Sequence, residues 1–158
     1  GLKLSPQVKG IVSDCAFTTA WDVFAHVLKD QYHLPSYPIL KISDRMCREK
    51  AGYGLKQCSA ALEVKKAKVP ILFIHGDADT FVPCSMCFEI YENCASKKNM
   101  LIVHGAGHVE AFYKEQVLYE QKLTEFLETA GEAWAPAGKS IYVSDVTGEG
   151  NSGESVPV

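Results

Sequence analysis

A chain of 158 residues, 47% hydrophobic and 22% charged, has the make-up of one globular domain with an ordinary apolar core. Its net charge of −3, with acids and bases interspersed, lacks the basic footprint of a nucleic-acid binder. The longest apolar stretch, residues 69–74, falls far short of the ~20 residues that cross a bilayer, so no membrane segment is expected in this chain.

The first element in chain order is a β-prone run over residues 8–13 that ends at Asp14. Residues 17–66 read as helix and loop, broken by Leu34-Pro35-Ser36-Tyr37-Pro38 and by Gly52-Tyr53-Gly54. Within them Trp21, Phe24, Tyr32, Tyr37 and Tyr53 form an aromatic set, and Trp21 with Phe24 has the i, i+3 spacing of one buried helix face. A short helix is expected over residues 59–68. Residues 70–74, Pro-Ile-Leu-Phe-Ile, are apolar at every position, which is the mark of a strand covered on both faces. A helix over residues 84–94, a strand over 100–103 and a helix over about 112–129 follow, the last with Tyr119, Leu123, Phe126, Leu127 and Ala130 on one stripe. From Gly131 the chain becomes Gly/Ser-rich and reads as a flexible tail, with β character confined to residues 139–146.

Strands alternating with helices, the strands fully apolar, predict an α/β fold: part of a doubly wound parallel sheet of about three strands with flanking helices. So narrow a sheet leaves the first strand short of a neighbour. An uncovered apolar edge favours association, so self-association through that strand is a possible outcome. The chain opens on Gly1 without Met or a leader and is expected to be a processed or excised product. Six cysteines at irregular spacing (15, 47, 58, 84, 87, 94) are expected to be reduced thiols in a cytoplasmic setting. Cys84 and Cys87 have C-x-x-C spacing and Pro83 marks a helix start before them. No second pair accompanies them, so helix packing is expected of them rather than redox or zinc chemistry.

The chemistry gathers at two strand ends. Asp77 and Asp79 follow the strand ending near Ile74, and His108 follows the strand ending at Val103, in a loop tightened by Gly105 and Gly107. Parallel strands lie about 4.8 Å apart, and ligands bind beyond their carboxyl ends. A carboxylate and an imidazole leaving neighbouring strands can therefore meet and form the acid–histidine part of an acyl-transfer triad. Taken singly, Asp79 reads as a turn residue capping the next helix and His108 as a loop histidine; together they point to chemistry. His104 and His108 have the spacing of a zinc pair, but Gly105-Ala106-Gly107 is a poor helix between them, so no metal site is expected. His75 reads as a structural residue below the site. There is no Gly-x-Ser-x-Gly in the 158 residues, and neither Ser13, Ser59 nor Ser85 has the setting of a nucleophile elbow.

His75-Gly76-x-x-Asp79-x-x-Val82-Pro83 followed by Gly105-x-Gly107-His108 resembles the carboxyl-terminal half of the α/β-hydrolases, in their serine esterase and peptidase-like branch. The resemblance implies that residues 1–130 are the later part of such a domain, with a cap-like insertion at about 17–58 and a tail over 131–158. It makes Asp79 the triad acid and His108 the general base, with Asp77 a distant second to Asp79. It implies hydrolysis of an ester, thioester or peptide-like small substrate with no cofactor, by a serine in a segment preceding Gly1. The other outcome consistent with the sequence is an inactive fragment or interaction module that associates through its sheet edge.

Overall fold

A computed structural model describes residues 4–131 and the strand Ile141–Tyr142. Four parallel strands lie in chain order: β1 (Ile11–Asp14), β2 (Ile71–Gly76), β3 (Lys98–Val103) and β4 (Ile141–Tyr142). The three longer strands are those expected. β4 adds a two-residue pairing of Leu101 with Ile141 and Ile102 with Tyr142, inside the stretch whose composition carried β character. The rest of the expected tail lies outside the described residues. Among the described residues β1 is hydrogen-bonded on one side only, to β2.

Every residue of β2 is buried, because successive side chains enter two different cores. Ile71 and Phe73 join Met100 and Ile102 under α4 (Cys84–Asn93), where Cys87, Ile90 and Cys94 are also buried. Leu72 and Ile74 join Leu101 and Val103 on the opposite face, closed by Ala111 and Phe126. Helices thus cover both faces of the central strands, as unbroken apolar strands require.

Between β1 and β2 the chain forms α1 (Ala20–Asp30), α2 (Ile39–Ala51), α3 (Ala60–Glu63) and a 3₁₀ turn at Val64–Lys66. Thr19 caps α1 by accepting the Asp22 amide at 3.1 Å, and Ser59 caps α3 by accepting the Leu62 amide at 3.2 Å. Thr19 and Ser59 also face each other in an antiparallel bridge, so this excursion leaves and returns at one point. The expected buried pairing of Trp21 with Phe24 is not found. Val23 is the buried residue of α1, Phe24 is exposed, and the Lys56 ammonium covers the Trp21 ring at 4.4 Å from its centroid. Tyr32, Tyr37 and Tyr53 are exposed as well.

The last helix is two: α5 (Ala111–Lys114) and α6 (Gln116–Gly131), separated at Glu115, whose φ of −137° is not helical. Of the expected stripe on α6, Phe126 is buried, whereas Leu127 faces solvent.

Candidate active site

The carboxyl ends of β2 and β3 pair Gly76 with Val103, and the loops beyond them carry the titratable groups. Asp79 is buried, and both its oxygens are committed. Oδ1 accepts the amides of Phe81 (2.9 Å) and Val82 (2.8 Å), the pattern of a turn residue. Oδ2 receives Nδ1 of His108 at 2.8 Å, with Nε2 of His75 at 3.3 Å. The turn contacts and the histidine contact foreseen as alternatives for Asp79 are therefore made at once, one on each oxygen.

A carboxylate can only accept, so Nδ1 of His108 carries the proton and Nε2 is the nitrogen left to take one. The His108 side chain is 35% exposed, whereas its acid partner is fully enclosed. The Phe81 ring packs against the imidazole, 5.0 Å between centroids. The loop is held by Gly105 at φ +66° and by the Gly107 amide donating to Glu110 Oε2 at 2.9 Å.

His75 lies closer to this pair than expected of a residue below the site. It is completely buried, and its Nε2 lies 2.9 Å from the Val82 carbonyl while also approaching Asp79. A carbonyl acceptor requires Nε2 to be the protonated nitrogen. Asp77 makes a separate pair at the rim. It receives His104 Nδ1 and the Gly105 amide, each at 2.7 Å. Burial pushes the Asp77 carboxyl up, but the Gly105 amide and His104 outweigh it and leave its pKa lowered. His104 and His108 thus serve different carboxylates and do not converge.

Cys15 joins this group with no motif in the sequence to mark it. Its amide continues the β1–β2 pairing to the Ile74 carbonyl (2.9 Å), so its thiol emerges beside the two loops. Sγ lies within 4.8 Å of a ligand atom of Asp79 and of His108. The signal was its position, the first residue past a parallel strand whose neighbours end at the site.

Helix α1 also reaches this end of the sheet. His26 places Nε2 2.9 Å from the Thr80 carbonyl and Nδ1 3.0 Å from Asp30, tying the helix to the residue after Asp79. The C-x-x-C cysteines take no part: Cys87 is buried in the core, and burial raises Cys84 to about 11 and Cys87 to about 12.

A family model described as serine hydrolase (FSH1) matches residues 3–116. The chain is 29% identical over 122 residues to the uncharacterized protein YqkD of Bacillus subtilis (strain 168). That match covers 77% of this chain and 40% of YqkD, so the chain spans about two-fifths of its relative's length. Among solved structures, acylaminoacyl peptidase of Pyrococcus horikoshii superposes with a TM-score of 0.59 at 16% identity, over 82% of this chain and 21% of that one. Acetyl xylan esterase 1 from Thermoanaerobacterium sp. JW/SL YS485 gives 0.51 at 23% identity, over 76% and 38% respectively. At such identities the likeness is one of fold, and that fold is the α/β-hydrolase sheet with its flanking helices.

Proposed function

The chain belongs to the serine hydrolase (FSH1) family, and from that premise we propose that Asp79 and His108 are the acid and the general base of a Ser-His-Asp triad. The serine is supplied by residues outside these 158. The observation that carries this reading is the 2.8 Å contact of His108 Nδ1 with Asp79 Oδ2, at the carboxyl ends of adjacent parallel strands.

In this mechanism the serine hydroxyl attacks the carbonyl carbon of an ester, thioester or amide, and His108 Nε2 takes its proton. Asp79 holds the ring in the tautomer with Nε2 unprotonated and stabilises the imidazolium that forms. The same nitrogen returns the proton to the leaving group. Water, deprotonated by Nε2, then attacks the acyl carbon; the bond to the serine oxygen breaks, the acid is released, and Nε2 returns the proton to that oxygen. The Phe81 and Val82 amides hold the other oxygen of Asp79, which fixes Oδ2 in place against the imidazole.

The test is intact-mass analysis after exposure to a fluorophosphonate, run on the 158-residue chain and on the protein as its native coding sequence directs. Adduct on the native form alone supports the assignment. Adduct on the 158-residue chain, or on neither, overturns it.

A further inference from the structure

Three chemically distinct donors converge beyond the sheet: the Cys15 thiol, an Asp79 carboxylate oxygen and a His108 ring nitrogen, all within 4.8 Å of one another. They come from three separate strand ends, β1, β2 and β3, so no local sequence spacing brings them together. We propose that Cys15, Asp79 and His108 form a binding site for a thiophilic divalent cation, with Zn²⁺ as its natural occupant by chemistry.

Zinc sites that use three protein ligands draw them from sulfur, imidazole and carboxylate, and leave a fourth position to water or a ligand. With metal–donor bonds of about 2.0–2.3 Å, a tetrahedral ion sets its donors roughly 3.3–3.7 Å apart. That spacing lies within the 4.8 Å bound on the three ligand atoms, and the 2.8 Å contact of His108 Nδ1 with Asp79 Oδ2 must open if those two atoms are to share one ion.

The outer partners of such a site are in place already. The Val109 amide donates to Cys15 Sγ at 3.3 Å, and the Phe81 and Val82 amides fix the second oxygen of Asp79. Outer hydrogen bonds of this kind orient ligands and hold charge on sulfur. The two residues that bring sulfur to its amide both adopt left-handed backbone: Cys15 at φ +51° and Val109 at φ +62°. For a β-branched residue that conformation is unusual, and such strain persists where the surroundings enforce it. A groove of about 660 Å³ lined by Asp14, Cys15 and Phe17 reaches the cysteine, and the His108 side chain is itself 35% exposed. A nucleophilic role suits the same thiol less well, because Cys15 is 6% exposed and its hydrogen-bond partners are Asp14 and the Val109 amide.

Binding displaces the thiol proton to solvent, engages the Asp79 carboxylate and takes a proton-free ring nitrogen of His108, either Nε2 as it stands or Nδ1 once its proton has moved to Nε2. If Asp79 and His108 are the triad pair, an occupied site blocks hydrolysis. That consequence rests on the proposed function, whereas the binding itself does not.

The experiment uses the tag-free 158-residue chain, reduced and stripped of metal, and reads binding rather than activity. Co²⁺ is titrated in and the sulfur-to-cobalt charge-transfer absorption recorded, then Zn²⁺ is titrated by calorimetry. One ion per chain is expected, with the charge-transfer band present. Cys15→Ser should abolish the band and weaken zinc at least about 100-fold, beyond the ~10–100-fold typical of losing an outer partner. Cys84→Ser should leave both unchanged. His108→Ala, at a partly exposed ring, is the second variant should Cys15→Ser fail to fold, and should weaken zinc by a similar factor. Absence of the band in the parent chain, its survival in Cys15→Ser, its loss in Cys84→Ser, or unchanged zinc affinity in His108→Ala would each overturn the proposal.

Discussion

The carbonyl oxygen of Ala106 occupies the space that a Cβ on Gly76 would need. The same carbonyl accepts the Ala78 amide at 3.1 Å, so the loop bearing Asp79 and the loop bearing His108 touch through backbone. Only glycine at the end of β2 permits that approach.

Gly76→Ala should therefore force the two loops apart. The obstacle is the Ala106 backbone and cannot rotate away, which places the cost at the upper end of the ~1–3 kcal/mol typical of overpacking. For a domain of this size the melting temperature should fall by roughly 5–10 °C. Gly52, at φ +79° past the end of α2, has open space around its would-be Cβ. Gly52→Ala should cost about 1 kcal/mol through backbone strain alone. Thermal melts of the two variants side by side decide the matter; equal shifts would refute the steric account.

Asp79→Asn tests the acid. The asparagine carbonyl can still accept the Phe81 and Val82 amides, which turns its NH₂ group toward His108. Nδ1 of the ring must then accept, the proton moves to Nε2, and that nitrogen can no longer take one from a nucleophile. Turnover of a p-nitrophenyl ester by the native-length protein should fall about 10⁴-fold, as for a triad acid changed to its amide. The chain's circular dichroism should hardly change. Turnover within tenfold of the parent would remove Asp79 from the mechanism.

Asp77 sets a pH dependence of stability. Its folded pKa is lowered: burial opposes the charge, but the Gly105 amide and His104 prevail. A lowered folded pKa contributes stability above the ordinary carboxylate range, and the contribution fades as pH falls through the folded value. Asp77→Asn should thus melt below the parent at neutral pH, with the gap closing in acid. Because the side chain is 37% exposed, added salt should narrow the neutral-pH gap too. A gap that widened in acid would reverse the assigned sign.

Thiol chemistry should follow burial. Burial lifts Cys15 and Cys87 to about 12 and Cys84 to about 11. At pH 8 a thiol at 12 holds roughly a thousandfold less thiolate than an ordinary one. Iodoacetamide followed by peptide mapping should find exposed Cys58 alkylated first, with Cys15, Cys84 and Cys87 protected until the chain unfolds. Early labelling of Cys84, or a reversible Cys84–Cys87 disulfide, would restore the redox role that their spacing invites.

β2 was plain because residues 71–74 offer no polar face, and burial at every position follows from that. The convergence of Asp79 and His108 was legible because each sits just past a strand of a parallel pair, where register alone limits their separation. Trp21 and Phe24 depart from the expected burial for a physical reason: aromatic spacing on a helix shows which residues share a face, but not whether anything covers that face. The break at Glu115 left no trace in the hydrophobic pattern. Cys15 was invisible for another reason. Its contact with Val109 spans 94 residues of chain, and only the assembled sheet brings the two together.

The cradle of Asp79 has a further consequence, for the order of assembly. The amides of Phe81 and Val82 reach its carboxylate from two and three residues away, and His75 from four. His108 arrives from 29 residues away and needs β3 in place. The acid is thus seated by a single short turn that closes quickly and cheaply in entropy, while its imidazole depends on a longer loop closure. During folding, or in a transient opening that peels β3 from β2, the carboxylate waits in its final orientation and the histidine is the part that comes and goes. Hydrogen exchange should reflect this, with the Val82 amide protected longer than the amides of the His108 loop.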